Sequence, residues 1–473
     1  MTHLGASAAI PERAGERGRS RALLLAAAAL APAVLIGSLA TGAWWLLLLL
    51  GGVAALGVWS LLDIRATFVV TVLLATFVDY KTGHLTLEMT VVCTWLAWTA
   101  LLLIWRSAWR GWAHPPSGMA LGLAVWLGAC ALGVVVGLVH GNNLRYLGLE
   151  LAAALWPALG LGMIQVYGRK SAAYAGLALV AIGLIHTAFG LTMLQIYRQR
   201  LGGIYFTTVT GIVAVGLWTA ALLAPRRKIR VLCLLGMVPM LAHLLFSFTR
   251  GYWFGCIAGL LASTILCWRN LGRFEPKTRS RRLLALPALL AVFVVTLGLS
   301  VLYFGKGDLL SSVGRRFGAS FSTEMSGATA SNVFRLVEYG RAVDVALESP
   351  VIGKGFGYAI LNRDSLVGRT QEQWFIHNYY LLIWLKLGIP GLAAFGFLLW
   401  TLVRAAKRVA EEDSSWLVRT WAIAAIAATV QVLVILVTNY SLADVTTAFV
   451  FAYVWGVFWA IRADSRAPAR GAA

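Results

Sequence analysis

The sequence has few charged residues, which make up only 12% of its 473 residues. An average soluble domain is about 25% charged and 45–50% apolar. With 60% hydrophobic residues, the composition excludes an ordinary soluble enzyme and excludes disorder over most of the length. A net charge of +21 can indicate a nucleic-acid partner. In so apolar a chain it indicates basic loops on one side of a membrane instead, and no nucleic-acid partner is expected.

The motifs of metal and nucleotide enzymes are also missing. None of the seven His residues has another His or a Cys three or four residues away, as a zinc motif would require. The five cysteines form no C-x-x-C pair and lie in apolar runs, where we expect small core side chains. The sequence contains no G-x-S-x-G, Walker A, H-E-x-x-H or D-x-D motif. No cofactor and no metal are therefore expected.

Long apolar runs fill most of the chain, and a run of about 20 residues can cross the roughly 30 Å of bilayer hydrocarbon. One run is short and another pair has almost no linker, so we predict an all-α polytopic membrane protein of about 12 (12–14) transmembrane helices. The candidate spans are residues 22–40, 43–62, 66–79, 88–105, 119–139, 147–167, 172–197, 203–224, 231–248, 251–268, 283–303, 377–403, 416–437 and 444–461.

Most of the 40 Lys and Arg residues fall in loops on one side of these spans. The positive-inside rule makes that side cytoplasmic, together with both chain termini. The sequence then predicts three parts: N-terminal transmembrane helices over residues 1–303, a large periplasmic loop over 304–376, and C-terminal transmembrane helices with a short cytoplasmic tail over 377–473.

The long loop contains one clear helix signal. Ser331-Asn332 can cap an amphipathic helix over residues 331–348, which ends before Pro350. A glycine-rich stretch follows, Gly353-Lys354-Gly355-Phe356-Gly357, and predicts a tight turn. So long a loop between packed spans is uncommon unless it has a function.

Basic residues on the predicted outer side are the most informative polar groups, since ionisable residues near apolar spans are costly unless partnered. Few acids lie close to them in sequence, so the set favours an anion such as a lipid diphosphate, which the arginine fork binds through two oxygens. The set comprises Lys81, His84, His140, Arg145, Arg198, Arg200, Arg250, Arg335, Arg341 and His377.

Arg250 and His377 are the two sharpest candidates. Arg250 stands between two apolar segments, either as a phosphate ligand or as an interfacial arginine whose side chain reaches back to water. His377 opens the span after the long loop, where a neutral imidazole can accept a proton from a hydroxyl. An interfacial histidine without chemistry is the alternative. Arg335 is either part of the anion site or a partner of Glu338 or Tyr339 on its own helix.

The order of several short motifs resembles the O-antigen ligase and polymerase family, most closely its ligases. That family has an arginine-bearing helix, a proline–glycine turn, an H-N-x-x-L segment and an x-G-x-x-G-L segment, with an S-R-G span upstream. The resemblance covers about residues 250–392, with Thr249 in place of the family's serine. It is carried by Phe334-Arg335, Glu348-Ser349-Pro350-Val351-Ile352-Gly353-Lys354-Gly355-Phe356-Gly357, His377-Asn378-Tyr379-Tyr380-Leu381, Leu387-Gly388-Ile389-Pro390-Gly391-Leu392 and Thr249-Arg250-Gly251.

The resemblance implies a GT-C-like glycosyltransferase of the bacterial inner membrane, usually with twelve spans. Its ligases move a finished polysaccharide from undecaprenyl diphosphate to lipid A–core on the periplasmic side, so both of these lipids, together with membrane lipids, are the expected partners. His377 matches the histidine of the H-N motif and Arg250 the arginine of the S-R-G span. We expect catalytic roles for His377, Arg250 and Arg335, and substrate binding by Arg200, Lys81, Arg145, Asn378 and Arg341.

Three alternatives remain open at this level. The motifs overlap with those of a polymerase that extends the same lipid-linked glycan and with those of a protein O-oligosaccharyltransferase. A lipid-linked oligosaccharide flippase also needs a basic cavity, but it has no obvious need for His377 at the junction of a loop and a helix.

Overall fold

The computed structural model describes residues 57–60, 63–76, 87–110, 115, 117–197, 207–247, 249–274, 287, 291–296, 298, 328–363 and 370–464. The chain divides into two compact units, Met1–Val70 and Thr71–Ala473. Apart from the part of the first helix before Thr71, the elements below all belong to the second unit. The predicted spans 22–40 and 43–62 lie almost entirely outside the described residues, as does most of 283–303.

Helices dominate the described part of the chain, as its apolar runs predict. They are α1 (Ile64–Thr76), α2 (Leu87–Arg110), α3 (Ser117–Val139), α4 (Leu144–Ala154), α5 (Trp156–Ile164), α6 (Ala172–Tyr197), α7 (Thr207–Leu223), α8 (Arg227–Phe246), α9 (Arg250–Phe274), α10 (Ala328–Glu348), α11 (Tyr379–Glu412), α12 (Trp416–Leu436) and α13 (Val445–Asp464).

Seven helices of the described residues, α3, α6, α8, α9, α11, α12 and α13, are long and apolar enough to cross a membrane. The pair α4 and α5, bent by 42° at Leu155, forms an eighth span if it is counted as one. The predicted single span 147–167 is thus a broken one. These helices make the chain a polytopic membrane protein.

The core lies around α12 and α13. Helix α12 packs against α7, α9, α11 and α13, and α13 also packs against α5. Helix α13 is apolar on every side, with Phe451, Tyr453 and Trp455 all fully buried. An apolar surface all round a helix is typical of a position inside a bundle rather than at its edge.

Helix α11 is longer than the predicted span and is broken within it. It continues to Glu412, beyond the predicted end at residue 403, and it is kinked at Gly388, whose φ is +67°. Pro390 follows two residues later and cannot donate a backbone hydrogen bond, so the helix cannot remain regular there. The Ile389 amide donates instead to Pro350 O at 3.0 Å. A backbone donor at the kink is therefore satisfied by the segment that contains Pro350.

The predicted loop helix is present as α10, but it begins three residues before the predicted start at 331. Ser331 and Asn332 thus lie inside the helix rather than at its cap. Two short strands follow, β1 (Ile360–Arg363) and β2 (Thr370–Gln373), paired antiparallel with Ile360 opposite Gln373. This hairpin departs from the all-α prediction, which missed it because each strand has only four residues.

Residues 349–358, here called the docking segment, connect α10 to β1 and lie against the helical bundle. Lys354 N donates to Leu385 O at 2.8 Å, and Phe356 N donates to Gly133 O at 3.0 Å. Gly355 has a φ of +78°, and a Cβ there would overlap the backbone of Gly137 in α3. Irregular backbone among membrane helices must be satisfied by protein groups, and here α3 and α11 supply them.

A buried ion pair holds the end of the docking segment. Lys386 Nζ lies 2.5 Å from Glu150 Oε1, with both side chains at most 4% exposed. Glu150 Oε2 also accepts from Gly357 N at 2.6 Å, and Lys386 Nζ donates to Tyr358 O. The pair therefore joins α4, α11 and the docking segment at one point.

Candidate active site

His377 lies between β2 and the first turn of α11. Asn378 has an extended backbone and is the N-cap of α11, and its Oδ1 accepts from Leu381 N at 3.1 Å. Asparagine is among the preferred residues at this position. The sequence therefore stops the helix from extending back over His377, and it places the imidazole at the end of the bundle where α11 begins.

A buried carboxylate holds the His377 ring. Glu338 Oε2 lies 2.9 Å from His377 Nδ1, and Oε1 lies 3.2 Å from the same nitrogen. Oε2 also accepts from the His377 backbone amide at 3.3 Å, and Oε1 accepts from the side-chain amide of Gln373. The Glu338 side chain is 3% exposed and that of His377 is 26% exposed. The ring is thus fixed through its Nδ1 side while part of it remains accessible.

Helix α10 presents three polar side chains to this centre, because residues three and four apart share a helix face. Glu338 contacts His377, and the Tyr339 hydroxyl donates to His377 O at 3.1 Å. Burial raises the pKa of Tyr339; the nearby Arg335 charge lowers it and Glu338 raises it further. Arg335 lies one turn before Glu338 and Tyr339 on the same helix.

Aromatic rings surround the imidazole on its other sides. The ring centroids of Phe375 and Tyr440 lie 5.7 Å and 5.6 Å from that of His377, both edge to face, and 4.4 Å from each other. Trp374 stacks on Tyr146 of α4 at 6.2 Å. These contacts join the hairpin, α4 and the segment before α13 in one wall beside His377.

Arg250 is the first residue of α9, and the described contacts bring this helix end to the same wall. A Cβ on Gly251 would overlap the Thr438 hydroxyl. Asn439 Nδ2 donates to the Tyr252 hydroxyl at 2.8 Å, and the next residue is Tyr440, which packs on His377. Residues 438–440 therefore link the start of α9 to the imidazole.

The start of α9 is a suitable place for an anion. Arg250 is partly exposed there, and the helix dipole adds partial positive charge at a helix N-terminus.

The other predicted ligands have different positions. Arg145 lies in the first turn of α4, beside Tyr146, and its Nη2 is buried with no hydrogen-bond partner among the described residues. Arg341 lies on α10, three residues after Glu338. Asn378 uses its side-chain oxygen as the cap of α11. Lys81 and Arg200 lie outside the described residues.

Sequence reasoning missed Glu338 as the partner of His377 and missed the Glu150–Lys386 pair. It considered Glu338 only as a neighbour of Arg335 on the same helix. A signal for the second pair was present, since a lysine and a glutamate each occur inside an apolar run and each must be partnered there. Which acid meets which base depends on the packing of distant segments.

Residues 235–396 match the sequence model of the O-antigen ligase family. The matched segment is about a third of the chain, and it contains Arg250, Glu338, the docking segment and His377. No curated protein matches the chain. The family match supports assignment of the chain to the O-antigen ligase family, with a ligase or related polymerase-type function.

Proposed function

We propose that this member of the O-antigen ligase family transfers a finished polysaccharide from undecaprenyl diphosphate to lipid A–core at the periplasmic face of the bacterial inner membrane. The observation that carries the proposal is the environment of His377, which is held by the buried Glu338. Arg335 lies one turn before Glu338 on α10, and residues 438–440 link the imidazole to the start of α9, where Arg250 lies. A proton acceptor next to fixed positive charge matches what transfer from a lipid diphosphate requires.

The arginines act on the leaving group. As the bond from the anomeric carbon to the diphosphate oxygen breaks, its electron pair stays on that oxygen, so negative charge grows there. Arg250 and Arg335 stabilise this charge, and removing one preorganised donor of this kind typically costs about 10²–10³ in rate. Arg145, Arg200, Arg341 and Lys81 bind the remaining phosphate oxygens or acidic groups of the acceptor.

His377 acts on the nucleophile. A hydroxyl oxygen of the acceptor sugar forms the new bond to the anomeric carbon while its proton moves to His377 Nε2, a general-base contribution worth roughly 10²–10⁴ in rate. Asn378 orients the acceptor next to it. A single displacement of this type inverts the anomeric configuration. Because the diphosphate linkage supplies the energy, the step needs neither ATP nor a metal ion.

The proposed membrane topology is consistent with a reaction at the periplasmic face. We place both termini in the cytoplasm, residues 304–376 in the periplasm, and transmembrane helices in residues 1–303 and 377–473. The periplasmic loop then covers the reaction centre and limits access of water, which would otherwise hydrolyse the donor.

A reconstituted transfer assay tests the proposal. The full chain in lipid vesicles is given a lipid-diphosphate-linked glycan and lipid A–core, without ATP and with a chelator, and the glycosylated core is measured. We expect transfer by the parent, a loss of roughly 10²–10⁴ in rate in His377→Ala, and no change in Glu372→Gln, which alters an exposed hairpin position. Extension of the donor glycan without transfer to lipid A–core would identify a polymerase instead. Full activity of His377→Ala would refute the role of His377 as general base.

A further inference from the structure

We propose that Glu338 is the positioning residue of the reaction: it holds His377 in the one tautomer that can accept a proton and stabilises the imidazolium that forms. This inference rests on the proposed role of His377 as general base. Glu338 does not itself contact the reacting atoms.

The tautomer follows from the contacts of the carboxylate. An ionised carboxylate has only acceptor sites, so a nitrogen within hydrogen-bond distance must carry a proton. His377 Nδ1 lies 2.9 Å from Oε2 and 3.2 Å from Oε1. Nδ1 is therefore the protonated nitrogen of the neutral ring, and Nε2 carries the lone pair. In the opposite tautomer Nε2 would already hold a proton and could accept none.

The carboxylate is itself prevented from rotating away. Its oxygens accept from the His377 backbone amide at 3.3 Å and from the side-chain amide of Gln373. These donors also offset the cost of burying a charged group that is only 3% exposed. Glu338 lies on α10 and His377 lies 39 residues later, so the pair also ties the loop helix to the start of α11.

The same contact acts during the reaction. When Nε2 takes the proton of the acceptor hydroxyl, the ring becomes a cation whose Nδ1–H points at a carboxylate oxygen 2.9 Å away. The carboxylate therefore faces the positive charge at the step in which that charge forms. Glu338 keeps its negative charge throughout, and the proton remains on His377 until product leaves.

Variants of the full-length protein in the transfer assay test this role. We expect Glu338→Gln to lower the turnover number by about 10²–10⁴, because the amide removes the charge and can donate to Nδ1, while the KM for the donor is unchanged. Glu338→Asp should recover part of the rate. Asp344→Asn is the matched control, since it removes an exposed carboxylate from the same helix, and it should leave turnover unchanged.

A double variant separates positioning from a structural role. If Glu338 acts through His377, adding Glu338→Gln to His377→Ala lowers the rate no further than His377→Ala alone. Nitrogen NMR of histidine-labelled protein, with the His377 signal assigned by its loss in His377→Ala, should show Nδ1 protonated in the parent and a change of tautomer in Glu338→Gln. An unchanged tautomer in that variant, or an additive loss in the double variant, would overturn the inference.

The outcomes also distinguish this inference from the proposed function. If His377→Ala is inactive but Glu338→Gln turns over like the parent, the Glu338 role is wrong and the general base stands. If the parent transfers no glycan, or His377→Ala is fully active, the proposed function itself is wrong.

Discussion

The buried pair of Glu150 and Lys386 gives the sharpest test of how this fold is held together. Replacing Lys386 by methionine keeps most of the side-chain volume but leaves the Glu150 carboxylate, 4% exposed, with the Gly357 amide as its remaining donor. Removing one partner of a buried pair costs about 3–5 kcal/mol, because an uncompensated charge stays behind. We expect Lys386→Met to lower the free energy of unfolding by that amount.

The assay is unfolding of the detergent-solubilised protein by a denaturing detergent, followed by tryptophan fluorescence. Glu150→Gln combined with Lys386→Met removes both charges, and the glutamine can still accept from Gly357 N, so most of the lost stability should return. Glu348→Gln serves as the control. It breaks the Lys354 pair, in which Glu348 is 62% exposed, and exposed pairs are worth about 0–1 kcal/mol. Equal unfolding free energies for Lys386→Met and Glu348→Gln would refute the reasoning.

Three further outcomes are expected. Gly355→Ala should lower both the free energy of unfolding and the rate of glycan transfer, because the φ of Gly355 is +78° and a Cβ there would overlap the backbone of Gly137. The detergent unfolding assay and the transfer assay measure the two effects. Parent values in both assays would contradict the packing of the docking segment against α3. Arg250→Lys keeps the charge but loses the two-pronged contact with phosphate, so the initial transfer rate should fall, and less than in Arg250→Gln; equal rates in all three proteins would exclude a phosphate contact. Tyr339→Phe should lower the free energy of unfolding by about 0.5–1.5 kcal/mol through loss of the bond to His377 O. Burial raises the pKa of Tyr339 above its usual 10.0. The contribution of this bond to stability is therefore complete below about pH 10, and it disappears only as the pH rises through the higher pKa of the folded protein. A difference in unfolding free energy between parent and variant that changes between pH 6 and 9 would contradict this.

The helices were predictable because their signal is local. Residues 416–437 and 444–461 were predicted as spans, and the structure has helices at Trp416–Leu436 and Val445–Asp464. An apolar run specifies a helix wherever it lies in the bundle. The breaks in helices were harder to predict. The bend at Leu155 and the kink at Gly388 depend on which distant segment packs there, and the local sequence does not specify that segment.

The candidate site divides in the same way. The amino-acid sequence alone determined that the chain is an apolar, polytopic membrane protein, and it placed Arg250 between two apolar segments and His377 just before the start of a span. Composition, motif order and the Asn378 cap are all local properties. Only the tertiary structure decided that the partner of His377 is Glu338, 39 residues earlier, and that Glu150 faces Lys386. Each charge can pair with any opposite charge that packing brings near, so hydrogen bonds between distant segments follow from the arrangement of the whole bundle.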